Sequence, residues 1–344
     1  MEQPNQPDRF APSWVDRVTD WIDRLPGPTW VAYAAVFVIL LVAANAAGWI
    51  DGNLPIGSLD LYLSSLAVYP VAALASIHYL DAKARAALEQ LRPALSVGDD
   101  EFESLRYRLT TLPAGATVIW SLIGLAFAVG YVLLGLDSSL RLRGPVVLAF
   151  DVALACVGFP LLAVLFFHTI RQLRLISQLQ AMATIDAFQL EPLLAFSGVT
   201  ARNGMIILGL GYMSAATEPT TFTFENPTLI AFVVISILIA VAAFVLPIYG
   251  MHGRIAEEKG RLAAQASRDL QVSLAEISRR ARNRDLTDAD ALNKQLSSLV
   301  LQRDVIARIP SWPWQPATLR GFATAVVLPI VLWIVFRALD RVIA

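Results

Sequence analysis

Long apolar runs, separated by shorter polar stretches, are the feature that most limits how this chain can fold. A helix of about twenty apolar residues has the length needed to cross the hydrocarbon core of a bilayer. Only 16% of the residues are charged, whereas a soluble protein carries about a quarter. The sequence therefore predicts an all-α polytopic protein of the cell (inner or plasma) membrane, with seven transmembrane helices and the lipid bilayer as a partner.

The predicted domains follow these apolar runs. Residues 1–28 form a cytosolic N-terminal segment, 29–250 hold six transmembrane helices, 251–316 form a cytosolic helical hairpin, and 317–344 form the seventh transmembrane helix. The fourth helix is predicted to continue without a break over 145–188, into water. The predicted spans are 29–50, 61–80, 116–136, 145–168, about 199–216, 228–250 and 321–336.

The fifth span is the least certain by length. Its strongly apolar part, 204–216, is only thirteen residues long, and Arg202 precedes it. A full crossing requires the helix to extend back through 192–203, with Arg202 facing protein or reaching to the polar interface. A re-entrant segment is the alternative.

Basic residues indicate the orientation, because the cytosolic loops of membrane proteins carry an excess of Lys and Arg. The loops at 51–60 and 217–227 contain neither residue, whereas 81–114, 169–203 and 251–320 contain nearly all of them. Four arginines on the predicted outer side run against this pattern. The distribution predicts a cytoplasmic N-terminus, an outer C-terminus, and long extensions of the fourth and sixth helices that form a helical cytosolic module.

Two amphipathic helices are predicted within 251–316. The first arm is charged and free of proline, and the second presents Leu292, Leu296 and Leu299 on one face. Pro310 ends the second arm. We expect the hairpin to pack on the extension of the fourth helix or on a neighbouring subunit.

Four tryptophans mark predicted contacts with the membrane interface, where indole side chains are enriched. Trp312 and Trp314 lie between prolines just before the seventh run. Trp14 and Trp21 share the apolar face of an amphipathic helix over 13–25. That helix lies either in the membrane interface or against the protein's own cytosolic part, and the pattern leaves both interpretations open.

Motifs that would indicate an enzyme are absent from the sequence. It contains no phosphate-binding loop, dinucleotide-binding fingerprint, zinc-protease motif or serine-hydrolase elbow. The single cysteine, Cys156, lies in an apolar run, so neither an intrachain disulfide nor a zinc site is expected. The 27 basic and 28 acidic residues balance, which does not favour nucleic acid as a partner. We expect no enzymatic activity, no cofactor and no dedicated metal site.

Two polar residues at similar depth are candidates for binding a small-molecule ligand. Asp151 is the only acid inside an apolar run, and Asn45 lies in the first span. An intramembrane carboxylate normally faces a cavity or a partner group rather than lipid. The alternative is a hydrogen-bonded structural aspartate near the interface.

The three histidines each lie near the predicted cytosolic end of a span and precede a basic helix. Placed at similar depth, His78, His168 and His252 could form a proton- or metal-sensitive ring that titrates near neutral pH. The alternative is that polar side chains belong at the interface, where helix C-termini favour cations.

The seventh run holds the candidate gating and pore residues. Pro329 removes a helical hydrogen bond and permits a kink just after the hairpin returns to the membrane. Thr324 interrupts an otherwise apolar stretch over 321–336. A pore lined by this helix would be hydrophobic and would gate by dewetting.

Two stretches, HGRIAEEKGRL at 252–262 and IPSWPWQP at 309–316, are similar to an uncharacterised family of prokaryotic membrane proteins. The layout resembles the seven-transmembrane ion channels that include insect odorant and gustatory receptors. The shared features are an inside N-terminus, extended fourth and sixth helices, a cytosolic segment before the last helix and a short outer tail. This resemblance implies a tetrameric cytosolic anchor and a pore lined by the last helix. The Thr-Tyr and Gln-Phe signature of the insect last helix is absent from 321–336, so no ligand or pore residue is transferred.

Three functional hypotheses result. The first is a homotetrameric, ligand-gated ion channel-like receptor with the last helix at the axis. The second is a non-conducting membrane sensor or scaffold that signals through its cytosolic hairpin. The third is a secondary transporter, which the odd number of spans and the lack of a clear inverted repeat disfavour.

Overall fold

The computed structural model describes residues 10–134, 144–216, 227–283 and 289–343. Every regular element in these ranges is a helix. This agrees with the prediction of a polytopic protein, because a segment in hydrocarbon must satisfy its backbone hydrogen bonds internally. The main helices are α1 (Trp14–Asp23), α2 (Thr29–Ile50), α3 (Leu61–Leu66), α4 (Val68–Leu91), α5 (Asp99–Thr110), α6 (Ala114–Leu134), α7 (Pro145–Met182), α8 (Glu191–Ala216), α9 (Pro227–Arg282), α10 (Ala289–Arg308) and α11 (Pro316–Ile343).

Six helical stretches in the described part of the chain are long and apolar enough to cross a membrane. They are α2, α3 with α4, α6, α7, α8 and α9. The prediction of an all-helical protein is confirmed, and the six apolar helices are compatible with a multi-pass membrane protein. In α11 the apolar stretch found is Pro316–Leu328, which is shorter than a span. The seventh span therefore stays a prediction.

The surface of the helical bundle is apolar where a soluble protein would be polar. Ile39 of α2, Phe127 of α6 and Leu246 of α9 are each at least 66% exposed. By contrast, the polar residues Gln172 and Asn203 are almost fully buried between helices. This distribution suits a bundle that faces hydrocarbon and keeps its polar groups inside.

The fifth predicted span forms α8, a helix of 26 residues. Arg202 lies within this helix, and its guanidinium group donates to the Tyr79 hydroxyl (2.8 Å) and to the Gly198 carbonyl (2.7 Å). In the most apolar window of α8, 56% of the residues are buried, against 33% or less in the other five candidate spans. Arg202 thus faces protein, which is the condition under which this stretch is long enough to cross. Helix α8 is central and packs on α4, α9 and α11.

The prediction of a continuous fourth helix over 145–188 is wrong, because α7 ends at Met182. Arg254 of α9 donates to the carbonyls of Gln180 (2.6 Å) and Ala183 (2.9 Å). A basic side chain at a helix C-terminus satisfies the last carbonyl groups and complements the helix dipole. The chain leaves the helix at Ala183, whose backbone is extended.

The second predicted span is divided into α3 and α4 at Ala67. Pro70 lacks a backbone N–H, and its ring prevents the normal helical hydrogen bond to the carbonyl of Leu66. The break therefore falls one turn before the proline. Leu66 and Tyr69, on either side of the break, both line a cavity between the helices.

Helix α9 is 56 residues long, roughly 84 Å at about 1.5 Å per residue, and α10 packs against its C-terminal half. Ile306 of α10 is buried against Ala266 of α9. The ammonium group of Lys259 donates to the carbonyls of Ala307 (2.8 Å) and Ile309 (2.7 Å), where α10 ends. The two arms of the predicted hairpin thus lie side by side, while their cytosolic location stays a prediction.

Candidate functional site

A cavity of about 240 Å³ lies between α3, α4, α6, α7 and α8. Asp151 of α7 contributes to its wall and is only 5% exposed. The start of α7 is held by Asp51, whose carboxylate accepts from the backbone N–H groups of Val146 (3.2 Å) and Val147 (2.8 Å). This N-terminal cap places Asp151 in the second turn of the helix, inside the bundle.

Aromatic side chains form much of the remaining wall. Tyr62 of α3, Tyr69 of α4 and Tyr131 of α6 approach the cavity from three different helices. The Tyr69 hydroxyl lies 2.9 Å from Ser214 Oγ of α8, and the Tyr131 ring lies 5.6 Å from the ring of Phe159. The other lining residues are Ser65, Leu66, Pro70, Leu154, Ala155, Gly158 and Leu162. A buried carboxylate and three phenol rings therefore share one small space.

Asn45 does not line this cavity. Its amide nitrogen donates to the Leu41 carbonyl (2.9 Å) and Ser64 Oγ (3.1 Å), and its amide oxygen accepts from the Asp60 N–H (2.7 Å). These bonds tie α2 to the start of α3. The structure assigns Asn45 a structural contact and does not bring it together with Asp151 in a common binding site.

The three histidines occupy separate positions within this chain. His78 lies between the Tyr33 hydroxyl (3.0 Å) and Asp23 (3.2 Å). His168 contacts Asp81 (2.8 Å), and the Nδ1 atom of His252 bonds the Ser311 carbonyl (2.9 Å). The described ranges contain no group of three His, Cys, Asp or Glu side chains that could hold a metal ion. A ring of the three histidines is therefore not formed within one chain.

Sequence reasoning missed a buried polar network around His168. Asp81 of α4 accepts from Gln172 Nε2 (3.3 Å) as well as from His168, and Gln172 Oε1 accepts from Asn203 of α8 (3.3 Å). His168 Nδ1 and Asn203 Oδ1 are buried and have no hydrogen-bond partner in the part of the chain that the structure describes. The network links α4, α7 and α8. Asp81 directly follows the second predicted span, so the sequence placed it in a polar segment rather than in the core.

An aromatic stack joins α9 to α11 and includes two of the predicted membrane anchors. The His252 and Trp312 rings are 3.8 Å apart and nearly parallel, and Trp312 stacks on Trp314 at 4.5 Å. Trp314 lies 5.3 Å from Phe244, which lies 4.5 Å from Phe322 of α11. Trp312 and Trp314 are half-buried and pack on protein. Only the tertiary structure revealed Phe244 and Phe322 as their partners.

Helix α1 packs on the protein through the side that carries Asp16. Its carboxylate is buried and accepts from Ser13 and from the backbone N–H of Leu112. Burial raises the pKa of Asp16, although these hydrogen bonds oppose the rise. Trp14 Nε1 donates to Ser121 Oγ (3.1 Å), while Trp21 is 59% exposed. One side of α1 therefore contacts protein, and Trp21 remains available to a membrane surface.

Both candidate pore residues lie on the last helix, α11. Thr324 is exposed on α11. Helix α11 continues through Pro329 to Ile343, but the side chain of Pro329 lies outside the described side chains. The proposed roles of both residues in gating stay predictions.

No protein family model, curated protein or solved structure matches this chain. Its function must therefore be inferred from its own geometry.

Proposed function

We propose that this protein is a homo-oligomeric, ligand-responsive channel of the membrane, a tetramer in its simplest form. In this proposal the cavity at Asp151 binds a small molecule and α11 lies at the axis of the assembly. A secondary transporter is the third hypothesis, and the lack of a clear inverted repeat in the sequence disfavours it.

The observation that carries the proposal is the incomplete packing of α11. Phe322 holds one side of the helix in a cluster with α8 and α9. The other side exposes Thr324, Val327 (52%), Val331 (45%) and Ile334 (53%) along one face. Because membrane helices associate through packing rather than through release of water, this face is suited to contact the same helix of neighbouring copies.

A short path of contacts links the cavity to α11. Ser214 of α8 contacts Tyr69 at the cavity wall, and Tyr212, two residues earlier on the same helix, donates its hydroxyl to the Val326 carbonyl of α11 (3.3 Å). A ligand that moves α8 at Ser214 therefore also moves the helix that holds α11. The aromatic stack provides a second link, from the α9–α10 hairpin to Phe322.

A non-conducting sensor is the second candidate, and one observation favours it. The exposed face of α11 is apolar between Thr324 and Ile334, so a pore lined by it would conduct only after wetting. The native mass of the protein in nanodiscs, followed by ion flux into vesicles, distinguishes the two. A tetramer with flux supports the channel; a monomer without flux supports the sensor.

The hairpin is expected to hold the assembly together. Replacing Leu296 and Leu299 by Asp places two charges on the half-buried face of α10 and should convert the oligomer to monomer in native mass measurements. Ser297→Asp adds a charge at an exposed position of the same helix and should leave the mass unchanged. A double variant with the wild-type mass would remove the hairpin from the proposed interface.

Gly204→Ala is expected to disturb the packing of α11 against α8 and α9. A Cβ atom at Gly204 would lie 2.6 Å from Cε2 of Phe322 and 2.8 Å from the carbonyl oxygen of Ala240. The backbone of α9 cannot move away as easily as a side chain can. We therefore expect a loss of about 1–3 kcal/mol in stability and an altered ion flux. Gly209→Ala on the same helix meets nothing within 4 Å and should be neutral. Equal losses of stability in the two variants would contradict the proposed close packing of Phe322 on Gly204.

A further inference from the structure

We propose that Lys83, Tyr79 and Arg202 form a binding site for the phosphate headgroup of an anionic phospholipid. The three side chains belong to two neighbouring helices, α4 and α8. The inference does not rest on the proposed channel activity, since a lipid can bind to a channel, a sensor or a transporter alike. It adds a ligand from the bilayer itself and the residues that recognise it.

The three side chains contact one another in a row. Arg202 Nε donates to the Tyr79 hydroxyl (2.8 Å), and Arg202 Nη1 donates to the Gly198 carbonyl one turn earlier on α8 (2.7 Å). The Lys83 ammonium group, one turn after Tyr79 on α4, lies 5.4 Å from the centre of the Tyr79 ring. At this distance the face of the ring attracts a cation. Two positive charges are therefore held beside one tyrosine.

These two positive charges lack an acidic partner. Among the residues that the structure describes, neither Arg202 nor Lys83 forms an ion pair. The acids near this end of α4 are engaged elsewhere, since Asp81 belongs to the buried polar network and Asp23 contacts His78. Basic groups at the edge of the hydrocarbon layer are stabilised by a paired anion. The lipid headgroups are the anions that lie next to this surface.

The position of the site along the helices is that of the headgroup layer. Tyr79 lies one residue before the end of the second predicted span, and Arg202 precedes the strongly apolar part of α8. Tyr79 is 43% exposed, and tyrosine is enriched where spans meet water. The next residue, His78, contacts Asp23 of α1, the helix on which Trp21 is exposed. The site is therefore level with an exposed indole that suits the membrane interface.

The chemistry of the three groups fits a phosphodiester. A guanidinium group binds phosphate oxygens through several N–H groups, and the two hydrogen bonds of Arg202 leave further N–H donors unused. Lys83 adds a point charge. A zwitterionic lipid brings its own ammonium group to the same place, where both basic side chains repel it. Phosphatidylglycerol brings only negative charge, so a lipid with a net negative charge is favoured.

The surface beyond Arg202 leaves room for an acyl chain. Gly209 lies seven residues further along α8, which is about two turns, so it shares the face of Arg202. Gly209 is exposed, and a Cβ atom there would meet nothing within 4 Å. A lipid whose phosphate binds Arg202 can therefore place an acyl chain along α8.

The test compares phosphatidylglycerol with phosphatidylcholine of the same acyl chains. Full-length protein in detergent micelles is titrated with each lipid, and native mass spectrometry measures the lipid bound per protomer. We expect the protein to bind phosphatidylglycerol at least fivefold more tightly than phosphatidylcholine. Equal binding of the two lipids overturns the proposal without the need for any variant.

A charge-matched pair of variants assigns the site. Lys83→Gln/Arg202→Gln should bind phosphatidylglycerol at least fivefold more weakly than the wild type. Arg268→Gln/Arg303→Gln removes the same charge from exposed positions of α9 and α10 and should bind it as the wild type does. Undiminished binding by the folded first variant, or an equal loss in the second, would show that net charge rather than this site attracts the lipid.

Gly198→Ala moves the guanidinium group without removing its charge. A Cβ atom at Gly198 would lie 2.6 Å from Arg202 Nη1, so the flexible end of this side chain must shift. We expect several-fold weaker binding of phosphatidylglycerol and little change in the melting temperature. Wild-type binding by this variant would contradict a role for the observed position of the guanidinium group.

Inorganic phosphate distinguishes a lipid site from a site for a free anion. At millimolar concentration it should not displace phosphatidylglycerol, because it has no acyl chain to contact α8. Displacement would assign the site to a soluble phosphate compound and overturn the lipid proposal.

Discussion

Replacement of His168 by Leu is expected to destabilise the protein by about 3–5 kcal/mol. The imidazole and the Asp81 carboxylate are 2.8 Å apart, and their side chains are only 3% and 13% exposed. Leu fills a similar volume but leaves the carboxylate with Gln172 as its remaining side-chain hydrogen-bond donor in the network (3.3 Å). Removing one partner of a buried pair costs about this much, because the remaining carboxylate stays desolvated and loses a hydrogen-bond donor.

A double-mutant cycle separates this effect from a simple loss of packing. Asp81→Leu should also be strongly destabilising, whereas the double variant His168→Leu/Asp81→Leu should lose less than the sum of the single effects, by about 0.5–3 kcal/mol. Reversible unfolding of the purified protein in mixed detergent micelles, followed by circular dichroism, measures each value. If the losses of stability in the two single variants simply added up in the double variant, the contact between His168 and Asp81 would not itself contribute to stability.

His78→Leu is the matched control for the buried pair. His78 also contacts a carboxylate, that of Asp23 at 3.2 Å, but the Asp23 side chain is 54% exposed. Water and salt screen such a contact, so its loss should cost about 1 kcal/mol or less, and the lost hydrogen bond with Tyr33 should add about 0.5–1.5 kcal/mol. If His78→Leu lost as much stability as His168→Leu, burial would not explain the large effect expected for His168→Leu.

Gly124→Ala is expected to separate α6 from α7. A Cβ atom at Gly124 would lie 2.5 Å from the carbonyl oxygen of Phe159 and 2.5 Å from the Cα of Pro160. Both contacts are with backbone, so no side-chain rotation relieves them, and the two helices must move apart. Such overpacking typically costs about 1–3 kcal/mol, and the upper end is expected because the contact is with backbone. The same unfolding experiment measures the loss.

Gly130→Ala provides the control on the same helix. A Cβ atom at Gly130 meets nothing within 4 Å, and alanine is a better helix former than glycine by roughly 0.5–1 kcal/mol. This variant should therefore be neutral or slightly stabilised. If both variants were neutral, the close approach of α6 and α7 at Pro160 would not be present in the membrane.

The comparison of the two glycines shows what periodicity cannot indicate. Gly124 and Gly130 both lie in the third apolar run, and nothing in the surrounding residues distinguishes them. Only the position of α7 against α6 shows that residue 124 must be glycine, because a larger side chain there would meet the α7 backbone. The same holds for Asp16: the helical pattern of α1 puts it on the polar face, yet the segment between α5 and α6 buries it through the Leu112 N–H.

Local chemistry in the sequence determined the helices themselves. Apolar runs of about twenty residues can satisfy their backbone only as helices in hydrocarbon, so α2, α6 and α9 follow from composition and length. Pro70 interrupts the second span, as expected from its missing N–H. Asp151 stood out for a related reason, since a carboxylate within an apolar run needs a polar environment.

Tertiary structure decided which side chains meet. The end of α7 depends on Arg254, which approaches from a helix that begins far along the chain. Asn45 and Asp151 have similar depth in the sequence pattern, but only Asp151 reaches the cavity, because Asn45 is held by Ser64 and Asp60. The physical reason is that helix formation depends on neighbours in sequence, whereas a binding site depends on the rotation and approach of several helices, which long-range packing alone determines.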